Sequence, residues 1–293
     1  MSAAPAVVPA VDSGVLVRRA LEGGMRVGRD GVLVVPASRL EQRRAPATLA
    51  SGIAALDELT GGGIPRGALT EICGPASSGR TSVLLSLMAR MTQAREVCAL
   101  VDTTDSFDPH SAETAGVELS RVLWVRCSEK NLKIENLKIS NFQSSVTPSL
   151  RVNAYSRQRA QMSRIEQALK ATDLLLQGGG FGLLVVDLAD VVPDAARRVP
   201  LTSWFRFRRA VENTATALVV LEQQPYAKTC ASLVVRLSAV GSRLSVNRPT
   251  RQSSHAGLLG GLEIRAELDR DYRQRKPVRA SEAKWETKTQ FAR

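Results

Sequence analysis

The residues from Gly74 to Thr81 are the part of this chain whose types and spacing point most directly to chemistry. They read GPASSGRT and stand between an apolar run, ALTEIC, and a helix-compatible run, VLLSLMARM. Gly74 and Gly79 are spaced as in the phosphate-binding pattern G-x-x-x-x-G-K-[ST], from which only Arg80 departs. The pattern predicts a loop that binds nucleotide phosphates. The alternative is an ordinary strand–turn–helix with small residues in the turn.

The residue types of this loop have physical reasons. Glycine lets the backbone approach a phosphate closely, and the following helix directs its positive dipole end and free N–H groups at the same anion. A lysine would reach the terminal phosphates as a slim point charge, whereas the guanidinium of Arg80 is planar and wider. We therefore expect nucleotide binding to survive and fast hydrolysis to be lost. Thr81 is the expected magnesium ligand. The predicted nucleotide-binding residues are Gly74, Pro75, Ala76, Ser77, Ser78, Gly79, Arg80, Thr81 and Ser82.

Length and composition indicate a folded protein. The chain has 293 residues, 44% of them hydrophobic, which suits one large α/β domain with extensions or two small domains. Its four cysteines are far apart and are predicted to be reduced and buried. No apolar run is long enough to span a bilayer, and the N-terminal MSAAPAVVPAVDSG lacks the basic start of a secretory signal. The sequence thus predicts a cytoplasmic protein without a membrane partner.

The charge of the chain points to a polyanionic partner. The formal net charge is +12 and the pI is about 10.2. Residues 241–293 hold twelve Lys/Arg against six Asp/Glu, so half of the excess charge lies in the last fifth of the chain. Such a tail is suited to sequence-independent phosphate contacts, as in DNA binding. The alternative is a solvated arginine-rich tail.

The order of apolar runs predicts the architecture. Buried strand-like runs alternate with helical patterns, which predicts a mostly parallel, twisted sheet with helices on both faces. We divide the chain into a partly ordered arm (1–45), a nucleotide-binding core (46–240) and a basic strand or tail region (241–293). Residues 128–160 have no firm period and are predicted to be an insertion or loop. The run SLVVRLSAVGSRLSV is predicted to form two strands.

The run TEICGPASSGRTS, preceded by SGIAALDELTGGGIPRG and followed by LVDTTDSFDP, resembles the nucleotide-binding core of RecA-type recombination ATPases. The resemblance extends over residues 48–240, except for 128–160. Within this family, SRVLWVRC, IEQALKATDLLLQGGGFGLLVVDLADV and the arginine-rich ending are most similar to ImuA-type proteins. These are RecA-related accessories to damage-induced, error-prone translesion synthesis. The resemblance implies a RecA-like P-loop NTPase fold that binds ATP and Mg²⁺ between subunits and works in bacterial DNA repair.

The resemblance also assigns roles to single residues. Asp187 matches the aspartate that holds the magnesium-bound water, and Gln223 matches the glutamine that senses the terminal phosphate. Both are also explained as polar residues at strand ends. The glutamate that activates the attacking water should follow Asp102 by two residues, but Thr104 stands there. Asp105, one residue further, is the candidate catalytic carboxylate, provided that its loop shifts.

Two loops that grip DNA in a recombinase are short in this sequence. PDAARRVPL and PYAKTCAS occupy their places, so we expect no strand exchange. Arg197, Arg198 and Lys228 are candidate phosphate contacts there, unless they are simply solvated.

Three functions therefore stay open. The first is an ATP-binding accessory of the SOS damage response with slow or absent hydrolysis, which contacts single-stranded DNA through its tail and a RecA filament or error-prone polymerase. The second is a DNA-dependent ATPase in which Arg80 and Asp105 replace the usual lysine and glutamate. The third is a nucleotide-free interaction scaffold. Homo-oligomers are compatible with each function.

Overall fold

The computed structural model describes residues 25–27, 32–34, 47–127, 149–244, 259–271 and 282–288. The chain divides into two units, residues 1–45 and 46–293. In the first unit, strands β1 (Met25–Val27) and β2 (Val32–Val34) pair antiparallel. The rest of the predicted N-terminal arm lies outside the described residues.

The second unit is organised around an eight-stranded sheet. Its strands are β5 (Ala68–Cys73), β6 (Cys98–Asp102), β7 (Val122–Arg126), β8 (Leu183–Asp187), β9 (Ala217–Glu222), β10 (Leu233–Leu244), β11 (Leu259–Asp271) and β12 (Glu282–Lys288). Two further strands, β3 (Thr48–Leu49) and β4 (Ile64–Pro65), form a separate antiparallel pair. The order is β12-β11-β10-β5-β9-β8-β6-β7. Neighbours from β10 to β7 are parallel, whereas β11 and β12 extend the sheet antiparallel.

Helices cover both faces of this sheet, as predicted. They are α1 (Ala54–Leu59), α2 (Arg80–Gln93), α3 (Pro109–Thr114), α4 (Ser149–Gly178), α5 (Pro193–Ala196) and α6 (Leu201–Val211). One core joins α1, α2 and α3 to the sheet through residues such as Leu87 and Ile72. The other joins α4, α5 and α6 to the opposite face through Ile165, Trp204 and Phe207. Because both faces are covered, the central strands β6, β8 and β9 are buried along their whole length.

The prediction of an insertion or loop over residues 128–160 is wrong for the last part of this segment. Helix α4 begins at Ser149, so residues 149–160 are helical, and only 128–148 lie outside the described residues. No periodic pattern in the sequence indicated a helix over residues 149–160.

The region after residue 232 also differs from the prediction. Within SLVVRLSAVGSRLSV, the residues Leu233–Leu244 form one strand, β10, which crosses the proposed boundary at residue 240. Gly241 stands at a shift in the pairing register between Ala239 and Gly241, so it marks a bulge and not a turn. The basic region is therefore part of the sheet through β11 and β12.

Two further predictions concern the whole chain. All four cysteines are free and buried, as predicted. Within the described residues, no helix is both long enough and apolar enough to cross a membrane.

Candidate functional site

The glycine-containing loop joins β5 to α2 at the carboxyl end of the parallel strands. Gly79 has φ +91° and precedes the first residue of the helix. A Cβ on Gly79 would overlap Ile264 of β11, and a Cβ on Gly74 would collide with the Leu237 carbonyl oxygen. Both positions thus require glycine, because the neighbouring strands β10 and β11 pack directly against the loop.

The rest of the loop offers a polar surface. Pro75, Ala76 and Ser77 are exposed, whereas Ser78 is buried and its hydroxyl has no hydrogen-bond partner among the described residues. A buried hydroxyl without a partner costs free energy, and a polar ligand would supply the missing bond. The loop thus fits phosphate oxygens, with the first turn of α2 beside it.

Arg80 is the position where the loop departs from its pattern, and its side chain is buried. The Arg80 Nη1 donates a hydrogen bond to the carbonyl oxygen of Ala189 at 3.1 Å. The Gln223 Nε2 donates to the same oxygen at 3.1 Å and to the Val191 oxygen at 3.2 Å. The structure therefore brings Arg80 and Gln223 together on one carbonyl, just beyond the end of β8.

Two residues were predicted to hold magnesium. Thr81 is exposed in the first turn of α2, and Asp187 is the last residue of β8, where its Oδ1 accepts a hydrogen bond from the Ala189 N–H at 2.9 Å. Burial raises the pKa of Asp187 to about 6; the Ala189 amide opposes this, the charges of Asp102 and Asp190 add to it, and Arg80 opposes it.

The donor set fits magnesium only together with a nucleotide. No group of three or more His, Cys, Asp or Glu side chains suited to a metal occurs among the residues the structure describes. Mg²⁺ commonly binds through one or two protein oxygens plus substrate phosphates and water, and a hydroxyl with a carboxylate supplies such oxygens. Thr81 and Asp187 would therefore hold a magnesium ion that arrives with phosphates.

Asp102 ends β6 and shapes the loop that follows it. It is fully buried, its Oδ1 accepts from the N–H groups of Thr104 and Ser106, and its Oδ2 accepts from the Phe107 N–H and the Trp124 indole. Its four accepted bonds give Asp102 a structural role that the sequence did not reveal.

Asp105, the candidate catalytic carboxylate, is engaged in an ion pair. Its two oxygens bind the Arg126 guanidinium at 2.6 and 2.7 Å, and Arg126 also lies over the Trp124 ring at 4.6 Å. The hydrogen bond from Arg126 lowers the pKa of Asp105. A paired carboxylate of low pKa is a weak general base, so the geometry does not favour Asp105 as the group that activates water.

The candidate phosphate contacts after β8 and β9 lie on ordered structure. Arg197 and Arg198 are exposed after α5, and Lys228 is exposed in a short 3-10 helix, Lys228–Cys230. Ser82 is half-buried and lines a cleft of about 380 Å³ with Arg90 and Thr287. Ile264 and Ala189 are site neighbours that no pattern in the sequence indicated.

Comparison with known proteins finds similar sequences for part of the chain. The RecA N-terminal domain model matches residues 24–147. Protein RecA of Picosynechococcus sp. is 33% identical over 150 residues, which are 51% of this chain and 33% of the relative. Protein RecA of Mycobacterium avium is 32% identical over 157 residues, which are 53% of this chain and 35% of the relative. The chain thus matches about a third of the length of these relatives.

These matches confirm the predicted fold, which is RecA-like, and support the RecA-type family. The match begins at residue 24 and includes the loop from Gly74 to Thr81, whereas Asp187 and Gln223 lie beyond it.

Proposed function

We propose that this chain is a RecA-like ATP-binding protein of bacterial DNA repair, in which it binds ATP with Mg²⁺ and hydrolyses it slowly or not at all. Its specific role would be that of an ImuA-like accessory of the SOS damage response, which assists translesion synthesis or recombination. The RecA matches and the glycine loop support the nucleotide and the repair context.

One observation carries the proposal of slow hydrolysis. At the carboxyl end of β6, the two carboxylates Asp102 and Asp105 are already engaged, because Asp102 accepts four hydrogen bonds and Asp105 pairs with Arg126. Thr104, at the position of the expected glutamate, cannot act as a base. The Arg80 guanidinium donates a hydrogen bond to the Ala189 carbonyl oxygen, and this bond would have to break before the guanidinium could move to a phosphate. Binding and slow chemistry are thus compatible in one site.

Calorimetric titration with ATP and Mg²⁺, followed by single-turnover hydrolysis with and without single-stranded DNA, tests this function. We expect heat of binding, and ATP that stays intact or decays slowly regardless of DNA. Hydrolysis strongly stimulated by DNA would establish the DNA-dependent ATPase instead. Absence of binding heat at every accessible ATP concentration, confirmed by dialysis, would establish the scaffold.

The partners in this proposal are single-stranded DNA, a RecA filament or an error-prone polymerase, and further copies of the chain. The positive charge of the basic region supports DNA as a partner. However, β11 and β12 of this region belong to the sheet, and Ile264 and Ala266 of β11 are buried in the core. Deleting residues 265–293 would therefore unfold the sheet edge and would not isolate a DNA contact. Cosedimentation with RecA filaments, and sedimentation velocity with and without ATP, test the protein partners.

Neutralising charge without truncation tests the DNA contact. We expect Arg273→Gln/Arg275→Gln to weaken single-stranded DNA binding and to reduce the slope of log affinity against log salt by about 1.4, because each lost phosphate contact removes roughly 0.7. The matched control is Arg90→Gln/Arg95→Gln, which removes the same charge from exposed residues of the core. Fluorescence anisotropy over a salt series measures both variants. Equal slopes for the two variants would refute a local contact at the basic region.

A further inference from the structure

Two glutamates are buried side by side on the sheet face that α4 and α6 cover. Glu71 lies on β5 and Glu222 ends the neighbouring strand β9, and both are fully inaccessible to solvent. Cys73 of β5 is the register partner of Glu222, which puts Glu71 two residues away on the same face. Neither the glycine loop nor the proposed function uses these carboxyl groups.

The pair holds the backbone that follows β9. The Glu71 Oε1 accepts hydrogen bonds from the Tyr226 N–H at 2.7 Å and the Ala227 N–H at 2.6 Å. The Glu222 Oε2 accepts from the Tyr226 N–H at 3.1 Å. Both carboxyl groups therefore bind the segment 224–232, which begins immediately after Gln223.

The remaining oxygens imply a shared proton. The Glu71 Oε2 and the Glu222 Oε1 are buried and have no hydrogen-bond partner among the described residues, while the other oxygen of each group accepts from the same Tyr226 N–H. Two ionised carboxylates that meet at one N–H group in a fully buried site repel each other and are poorly solvated, so the pair is favoured with one proton bound. Burial raises the pKa of both groups, and the charge of Glu71 raises the pKa of Glu222 further.

Other ionisable groups surround the pair but do not replace this proton. The titratable and charged side chains that face it or its bound segment from the adjoining elements are Cys73, Tyr226, Cys230, Asp194, Arg197, Arg208, Arg236, Asp269 and Arg270. Burial raises the pKa values of Cys73, Tyr226 and Cys230, so these stay neutral at neutral pH. Arg236 is paired with Asp269, and Arg270 donates to the Lys228 carbonyl.

We propose that Glu71 and Glu222 form a one-proton clamp that holds the segment 224–232 while the proton is present and releases it when the proton passes to solvent. Loss of the proton leaves two adjacent buried carboxylates, and their repulsion and desolvation are relieved only if water enters beneath Tyr226 and Ala227. Gln223 connects the near end of this segment to the Ala189 carbonyl that Arg80 also binds. The clamp thus fixes the same segment at Tyr226 and Ala227, a few residues further along the chain.

Amide hydrogen exchange of the full chain, followed by mass spectrometry from neutral to mildly alkaline pH, tests the clamp. After correction for the intrinsic pH dependence of exchange, we expect the protection of peptides over 224–232 to fall roughly tenfold per pH unit once the pair titrates. Protection in β8 should stay constant over the same range. Constant protection of 224–232 in the unsubstituted protein would overturn the proposal.

Substitutions identify the groups responsible. Glu222→Gln supplies an amide donor in place of the proton, so protection of 224–232 should become independent of pH, and Glu71→Gln should act similarly. Glu267→Gln, which removes an exposed carboxyl from β11, should behave as the unsubstituted protein does. An unchanged pH dependence in Glu222→Gln would also overturn the clamp. Infrared spectroscopy gives a readout that needs only the unsubstituted protein, since a protonated carboxyl band must be present at neutral pH and disappear as protection falls.

Discussion

Replacing Thr104 by glutamate and Arg80 by lysine is expected to raise the rate of single-turnover ATP hydrolysis by about two to three orders of magnitude. Thr104 is half-buried, its N–H bonds to Asp102, and its hydroxyl contacts only the exposed Ser106 among the described residues. A glutamate there keeps the backbone bond and adds a carboxylate at the position of the expected base, while Arg126 is already paired with Asp105. A lysine at position 80 gives up the bond to the Ala189 carbonyl and can extend along the loop to the phosphates.

The matched control is Thr104→Gln/Arg80→Lys, which has the same size and lacks the carboxylate. The single variant Arg80→Lys separates the effect of phosphate contact from that of the base. Rates should be compared at saturating ATP, with binding measured separately by calorimetry, so that a change in affinity is not read as chemistry. Equal rates for the Glu and Gln variants would show that the missing carboxylate is not what limits hydrolysis.

The loop from Gly74 to Thr81 could be predicted because its chemistry is local. The spacing of two glycines between a strand and a helix determines the backbone path, and both ends of the loop are within eight residues of sequence. The parallel sheet could be predicted for the same reason, because the apolar periodicity of each strand and each helix is visible within one short stretch of sequence.

The contacts that decide how the site works are not local. Ile264 packs against Gly79 from 185 residues away, and Ala189 receives Arg80 from 109 residues away. Such pairs depend on strand order and register, which no window of sequence contains. Arg126 likewise neutralises Asp105 only because β6 and β7 are neighbours, with Asp102 opposite Arg126. The candidate carboxylate, one residue beyond the expected position in the sequence, is thereby engaged in an ion pair.

Asp187→Asn is expected to make the nucleotide-free protein more stable while weakening its magnesium-dependent affinity for ATP. Asp187 has an ordinary pKa of 3.8 and a pKa of about 6 in the fold, mainly because burial disfavours its charged form. At neutral pH the fold therefore holds an ionised group at a cost of roughly 3 kcal/mol. Asparagine removes the charge and keeps an oxygen that can accept from the Ala189 N–H.

The sign of the pH dependence follows from the same shift. Between 3.8 and about 6 the folded protein binds the Asp187 proton and the unfolded chain releases it, so the free energy of unfolding falls as the pH rises through this window. Above it, both states are ionised and the contribution of Asp187 is constant. In Asp187→Asn this fall should disappear. Urea unfolding without nucleotide at several pH values measures it in both proteins.

The buried charge of Asp187 that lowers stability is also the group that we propose binds magnesium. A desolvated carboxylate at the end of β8 has lost its water, and a cation brought by ATP phosphates would restore the favourable interaction that burial removed. We therefore expect Asp187→Asn to lower the affinity for ATP with Mg²⁺ by about 10- to 100-fold and to leave affinity without Mg²⁺ nearly unchanged. The control Asp190→Asn removes a neighbouring exposed carboxylate and should retain the magnesium dependence. If Asp187→Asn bound ATP with Mg²⁺ as tightly as the unsubstituted protein while being more stable, the carboxylate would be a buried charge without a metal to hold.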